Sequence, residues 1–297
     1  MRILPARFAI VLAACIVPAS AWATTTIDPV TNKYAYGANI GWVNAEGDVT
    51  NGMVVGEAFC SGFLYGANVG WIGVGDGTPD NGLAYSNSSS NDYGVNLEAD
   101  GDLRGFAYAA NLGWINFESN GNAQVDLLTG NLSGSAYGAN VGWISLSNAQ
   151  AYVQTVSLEP GPDSEPDMLP DAWELIYTND LGVLDGLSDA SDADADGASD
   201  KEEYLAGTNP LDANSHLAIV MEALDPSMAQ ADVTWNSVAT RLYRVELNND
   251  LGNPAAWADS GSGDIAPSPG STTTETVPIG GSDVETFRVN ALRPLAP

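Results

Sequence analysis

The chain reads as a mainly β protein of three modules: an N-terminal tandem β-hairpin repeat domain, a short acid-rich segment of helices and loops, and a C-terminal β-sandwich. Three observations predict this. An eight-residue phrase recurs at Tyr36 to Val43, Tyr65 to Ile72, Tyr108 to Ile115 and Tyr137 to Ile144. Between residues 158 and 215 the composition shifts to 16 acids against the single Lys201. The last 80 or so residues then alternate short β-rich runs with turns rich in Gly, Asn, Pro and Ser. A chain of 297 residues, 44% of them hydrophobic, suffices for two or three such domains.

The first 23 residues have the pattern of a secretory leader. Arg2 and Arg7 precede an apolar run from Phe8 to Val17, and Ala21-Trp22-Ala23 offers a small-residue cleavage site before Thr24. Leu12-Ala13-Ala14-Cys15 also fits a lipoprotein box, but the residues after Cys15 stay apolar, which favours simple cleavage after Ala23. Secretion or display at the cell surface is the expectation. With 38 acids against nine basic residues the net charge is −29, and losing the leader takes it to −31. Nucleic acids and anionic membranes are poor partners for such a surface. No other stretch is long and apolar enough to serve as a transmembrane segment.

Residues 24–157 carry the repeat. Each copy reads Tyr, Gly or Ala, Ala, Asn, aliphatic, Gly, Trp, Ile or Val. After the turn-like Gly-Ala-Asn it alternates with period two, as a strand does. In the fourth copy Val141, Trp143 and Ser145 share one face and Gly142, Ile144 and Leu146 the other, so both faces are expected to be covered. Leu132, Gly134 and Ala136 supply a preceding strand after the Thr129-Gly130-Asn131 turn. Tryptophan spacings of 29, 43 and 29 make two pairs of hairpins separated by a polar surface insertion around Thr78 to Asn91. Asn39, Asn68, Asn111 and Asn140 are identical in every copy; Asn tolerates positive φ and bonds its own backbone in turns.

The repeated set has two readings. In one, Trp42, Trp71, Trp114 and Trp143 stack inside a shared core, which is favoured because repeat units bury little alone. In the other they form an exposed ladder for sugar rings, with the four asparagine amides reading hydroxyls, and an extracellular glycan is the partner. Cys60 occupies the frame position of Leu103 and Leu132 and is read as a buried small hydrophobe. The repeats either close on themselves or leave an edge open to self-association.

Residues 158–215 follow the Pro-rich Glu159-Pro160-Gly161-Pro162. Asp192-Ala193-Asp194-Ala195-Asp196-Gly197-Ala198-Ser199-Asp200-Lys201-Glu202-Glu203 has the spacing of a calcium loop. A hard cation takes six to eight oxygens; Asp192, Asp194, Asp196, Asp200 and Glu203 supply carboxylates, Ala198 a carbonyl, and Gly197 sits at the sharp bend. A helix from Asp200 to Ala206 is closed by Gly207 and stopped before Pro210. Ser199 replaces the aliphatic usual in paired sensor hands. Upstream, Asp163, Glu165, Asp167, Asp171 and Glu174 repeat the carboxylate spacing, with Met168 in place of the bending Gly and Pro170 after it. Trp173, Leu175, Ile176 and Tyr177 follow on a helix that can pack over the second loop.

The run Met168-Leu169-Pro170-Asp171-Ala172-Trp173-Glu174, the loop Asp192 to Glu203, and Glu203-Tyr204-Leu205-Ala206-Gly207-Thr208-Asn209-Pro210 together resemble the thrombospondin type 3-like calcium-binding segment of secreted bacterial multidomain proteins. That resemblance covers 163–215 and implies structural calcium stiffening the junction between flanking modules. The N-terminal phrase is similar to Gly-Trp-Ile repeats of uncharacterised bacterial surface proteins, a likeness that implies no activity.

Residues 216–297 present five strand-like runs: Leu217 to Glu222, Ala231 to Asn236, Leu242 to Leu247, Thr272 to Val277 and Thr286 to Ala291. The rhythm suggests a small sandwich that resembles a fibronectin type III-like domain, with Trp235 and Tyr243 in its core. His216, the only histidine, is read as a surface residue at the module edge. No Gly-x-Ser-x-Gly elbow, His-Glu-x-x-His or Gly-rich phosphate loop occurs. The expectation is a non-catalytic adhesion or scaffold protein stabilised by calcium, with a glycan or surface protein as partner. A carbohydrate-binding module and, behind it, a glycan-active enzyme are the alternatives.

Overall fold

The computed structural model describes residues 25–118, 120–188, 190–224, 229–248, 250, 253, 256–279 and 286–297. The leader at 1–23, with Cys15, lies outside the described residues.

The four repeats are four β-hairpins. β1 (Tyr34–Gly37) and β2 (Gly41–Asn44) make the first; β3 (Val54–Val55) leads into β4 (Cys60–Gly66) and β5 (Gly70–Gly75); β6 (Val95–Leu97) into β7 (Leu103–Ala109) and β8 (Gly113–Asn116). β9 (Gln124–Val125) and β10 (Leu132–Ser133) precede β11 (Ser135–Gly138) and β12 (Gly142–Ser145). The order β2-β1-β12-β11-β8-β7-β5-β4 closes when β2 pairs with β4, giving an eight-stranded barrel. Every seam between hairpins repeats one register: Tyr65 faces Asn44, Tyr108 faces Gly73, Tyr137 faces Asn116 and Tyr36 faces Ser145. The barrel is thus a ring of equivalent hairpins, and closure removes the free edge that an open sheet would present.

The tryptophans are outside this ring, against the favoured core reading. The interior is filled by small and aliphatic residues, among them Ala35, Val43, Leu64, Ile72, Ala107, Ile115, Ala136 and Ile144. Trp42, Trp71, Trp114 and Trp143 are 47, 45, 43 and 49% exposed. The turn accounts for the difference. Gly41, Gly70, Gly113 and Gly142 all take φ near +80°, a left-handed bulge that breaks the alternation just before each tryptophan. Val141 therefore points inward from the turn although it stands two residues before the outward Trp143. Cys60 is sealed in the barrel core, as its frame position suggested, and burial pushes its thiol up to about 12. The insertion around Thr78 to Asn91 is anchored by Tyr85, whose buried hydroxyl donates to Cys60 O at 3.2 Å and accepts from Gly77 N at 2.7 Å.

Gly62 within β4, Gly105 within β7 and Gly134 between β10 and β11 turn the chain with φ of +81°, +96° and +74°. A Cβ on Gly134 would lie 1.9 Å from Asn122 O, so this corner admits only glycine.

α1 (Asp171–Tyr177) and α2 (Asp200–Ala206) follow the barrel. Among the described residues the last module has six strands rather than five: β13 (Ile219–Leu224), β14 (Gln230–Asn236), β15 (Leu242–Asn248), β16 (Ala258–Asp259), β17 (Thr272–Pro278) and β18 (Thr286–Leu292). They form two three-stranded sheets, β13-β14-β17 and β16-β15-β18. Trp235 and Tyr243, both fully buried with ring centroids 5.6 Å apart, sit in the core with Val233, Val245 and Val277.

Candidate metal centre

The two acidic loops before α1 and α2 share one bonding scheme. In the first, Asp163 accepts from Asp167 N at 3.1 Å and Met168 N at 3.0 Å, and Asp167 accepts from Leu169 N at 2.9 Å. In the second, Asp192 accepts from Asp196 N at 3.2 Å and Gly197 N at 2.9 Å, and Asp196 accepts from Ala198 N at 2.8 Å. The bend needs a left-handed residue in both. Gly197 adopts φ +99° and Met168 takes φ +78°, a strained conformation for a side-chain-bearing residue. The missing glycine therefore leaves the first loop strained but shaped like the second.

Ligand atoms of Asp192, Asp194 and Asp196 come within 4.8 Å of one another, as do those of Asp163, Glu165 and Asp171. Glu174 and Glu203, twelfth in each loop, are closed to solvent, and none of their four carboxylate oxygens has a hydrogen-bond partner among the described residues. Asp194 Oδ2 and Asp196 Oδ2 are orphaned in the same way. Buried carboxylates without donors are costly and call for a compensating positive charge. Burial first, then the neighbouring carboxylates, pushes both glutamates up to about 8. Thr208 is the neighbour that favours the Glu203 anion, although its hydroxyl is not aligned for a hydrogen bond. The donor set therefore fits a hard divalent cation on its orphaned oxygens, and the acidic clusters can hold a metal ion.

Two predicted ligands have other work. Asp200 is buried and accepts from Asp185 N at 3.1 Å, Ser191 Oγ at 2.5 Å and Ala193 N at 3.0 Å, so it ties the loop together. Asp171 holds the first loop by accepting from Ser164 N and Oγ, both at 2.6 Å, while staying within the carboxylate cluster. Ser199 at the eighth position starts α2: its hydroxyl accepts from Glu202 N and the Glu202 carboxylate accepts from Ser199 N. That capping box was legible as Ser199-x-x-Glu202 and explains the missing aliphatic.

From this site the chain leads directly to a junction. Leu169, Trp173, Leu184 and Tyr204 form a small core shared by the two loops, with Trp173 at 5.3 Å from both Tyr177 and Tyr204. Tyr204, next to Glu203, donates its hydroxyl to Glu57 of the barrel at 3.0 Å. Arg293, beyond the last sandwich strand, bonds both Tyr204 and Glu57 and lies 4.4 Å over the Tyr204 ring. Arg241 donates to the end of α2 at Leu205 O, 2.7 Å, and Tyr204 O, 3.3 Å. The bonds of Glu57, Arg241 and Arg293 were not apparent from the sequence, because each of these pairs is more than 35 residues apart.

The repeat asparagines are structural. Asn39 Nδ2 donates to Val141 O, Asn68 to Ile40 O, Asn111 to Val69 O and Asn140 to Leu112 O, all at 2.9–3.0 Å. Each amide reaches the turn of the neighbouring hairpin, and none of the four has positive φ. The expectation of self-bonding turn asparagines is thereby corrected: one N–H of each amide is engaged across a seam between hairpins. The tryptophans lie on the outer face, each paired across its hairpin with Tyr36, Tyr65, Tyr108 or Tyr137 at 4.9–5.0 Å. They encircle the barrel instead of lining one groove. His216 is also more than a surface residue: its Nδ1 lies 2.7 Å from Asp196 Oδ2.

Comparison with known proteins returns no family model, no curated protein and no solved structure that matches the chain.

Proposed function

We propose that this is a calcium-stabilised adhesion or scaffold protein that works outside the cell without catalysis. The observation that carries the reading is the adjacency of Glu203, buried and unpartnered at the loop, and Tyr204, which bonds Glu57 and lies under Arg293. An ion held by Glu203 fixes α2, and α2 holds the barrel and sandwich together. The resemblance of residues 163–215 to thrombospondin type 3-like segments supports calcium as the ion, and the leader pattern at 1–23 supports an extracellular setting, where calcium is plentiful. Solution scattering tests the idea: calcium should narrow the distribution of interatomic distances relative to chelator. Superimposable profiles in the two conditions would remove the clasp.

Carbohydrate recognition is the second reading, favoured by the outward, half-exposed Tyr–Trp pairs. Four equivalent patches around one barrel suit a repeating polymer, where weak contacts add by avidity. Retention on insoluble polysaccharide that falls stepwise as Trp42, Trp71, Trp114 and Trp143 are changed to Ala supports it; unchanged retention rejects it.

A further inference from the structure

We propose that the second loop is a mixed nitrogen and oxygen site. In it His216 Nδ1 joins the carboxylates, and the site accepts a first-row transition divalent ion that the first loop, whose carboxylate cluster has no imidazole beside it, binds poorly. The inference rests on the reading of the loops as cation sites and specifies which class of ion one of them takes.

His216 is the only histidine in the chain, and the fold brings it from the start of the sandwich module onto the loop wall. Its Nδ1 and Asp196 Oδ2 are 2.7 Å apart, both atoms are buried, and neither makes a hydrogen bond. An imidazole N–H aimed at that oxygen would make a strong charge-assisted bond. The alignment is absent, so the nitrogen and the oxygen stand side by side with neither engaged by the other in a hydrogen bond. Two donors bound side by side to one ion, each about 2.1 Å away, lie about 3 Å apart. The observed spacing is close to that.

Further donors stand ready. Asp194 Oδ2 and both oxygens of Glu203 are also buried without partners, and Asp192, Asp194 and Asp196 already converge. A cleft of about 460 Å³ lined by Asp196, Glu202, Glu203 and His216 gives an ion access from the sandwich side. Calcium selects oxygen ligands, whereas imidazole favours zinc, cobalt and nickel. The sole histidine is spent on the second loop.

The test uses the untagged full-length protein, with Co²⁺ and Ca²⁺ titrated by calorimetry and the Co²⁺ absorption spectrum followed in parallel. Wild type and Glu174→Gln, which weakens the first loop, should both bind one tight equivalent of Co²⁺ with a spectrum showing nitrogen coordination. His216→Gln should weaken Co²⁺ at least about tenfold, the scale of a lost ligand or orienting group, and move Ca²⁺ by less than about threefold. Unaltered Co²⁺ affinity and spectrum in His216→Gln, with Ca²⁺ still bound, overturns the proposal and leaves the loops as calcium sites. Equal losses of both ions also overturn it, because they mark a structural role for the ring. A wild-type protein that binds neither ion removes the cation reading itself.

Discussion

Each repeat asparagine bridges a seam that the backbone ladders leave thinly bonded, since only one or two register pairs join neighbouring hairpins. Removing the amide leaves a turn carbonyl with one partner fewer. Asn68→Ala should therefore cost about 1–2 kcal/mol in urea unfolding; a loss within error would mean the ring is incidental. The two loop glutamates differ: their carboxylates have no hydrogen-bond partner among the described residues. Glu174 and Glu203 are raised from 4.5 to about 8, so without an ion the folded chain carries extra protons between those limits. A raised carboxyl stabilises the fold below its unfolded value, and that stability is lost as pH rises through the folded value. In chelator the melting temperature should fall between about pH 5 and 8, and saturating calcium should flatten the fall. A melting temperature that rises with pH in chelator would contradict the orphaned carboxylates.

At the level of elements, the hairpins, both helices and most sandwich strands were legible, because period-two alternation, Gly207 and the Gly- and Asn-rich turns are local signals. What the sequence hid was direction. Alternation specifies two faces but does not say which is interior, and the left-handed Gly142 shifts Val141 out of phase with Trp143. The interior belongs to Gly, Ala and aliphatics because the closed ring is narrow, leaving the bulky rings to pair across strands outside. The second loop could be read from spacing alone. The first could not be settled that way, since Met168 breaks the usual rule and only the backbone reveals that it takes the glycine conformation. Met168 is 56% exposed and contributes little packing, so Met168→Gly should relieve the bend and stabilise the calcium-loaded protein by about 1 kcal/mol. A lower melting temperature in that variant would show the side chain does something the bend does not explain.

Across the whole molecule, a chain with a net charge of −29 concentrates its buried and unpartnered carboxylates in the segment that joins two β modules. Glu57, Tyr204 and Arg293 then tie barrel, helix and tail at one point. The junction was illegible in the sequence because its members come from three distant stretches, with Glu57 and Arg293 separated by 236 residues. Under the proposed function, positive charge delivered by an ion relieves the repulsion and orders α2, and the modules gain a fixed relation as a consequence. The most direct measurement is calorimetric melting of the full chain in chelator and in calcium. At about 100 times its dissociation constant, an ion bound only by the folded state adds about 2.7 kcal/mol per site. Wild type should melt several degrees higher in calcium, and a Glu203→Gln, Glu174→Gln double variant should lose that gain. Identical melting of wild type in chelator and in about 10 mM calcium, well above the affinity range of extracellular calcium modules, would contradict the account.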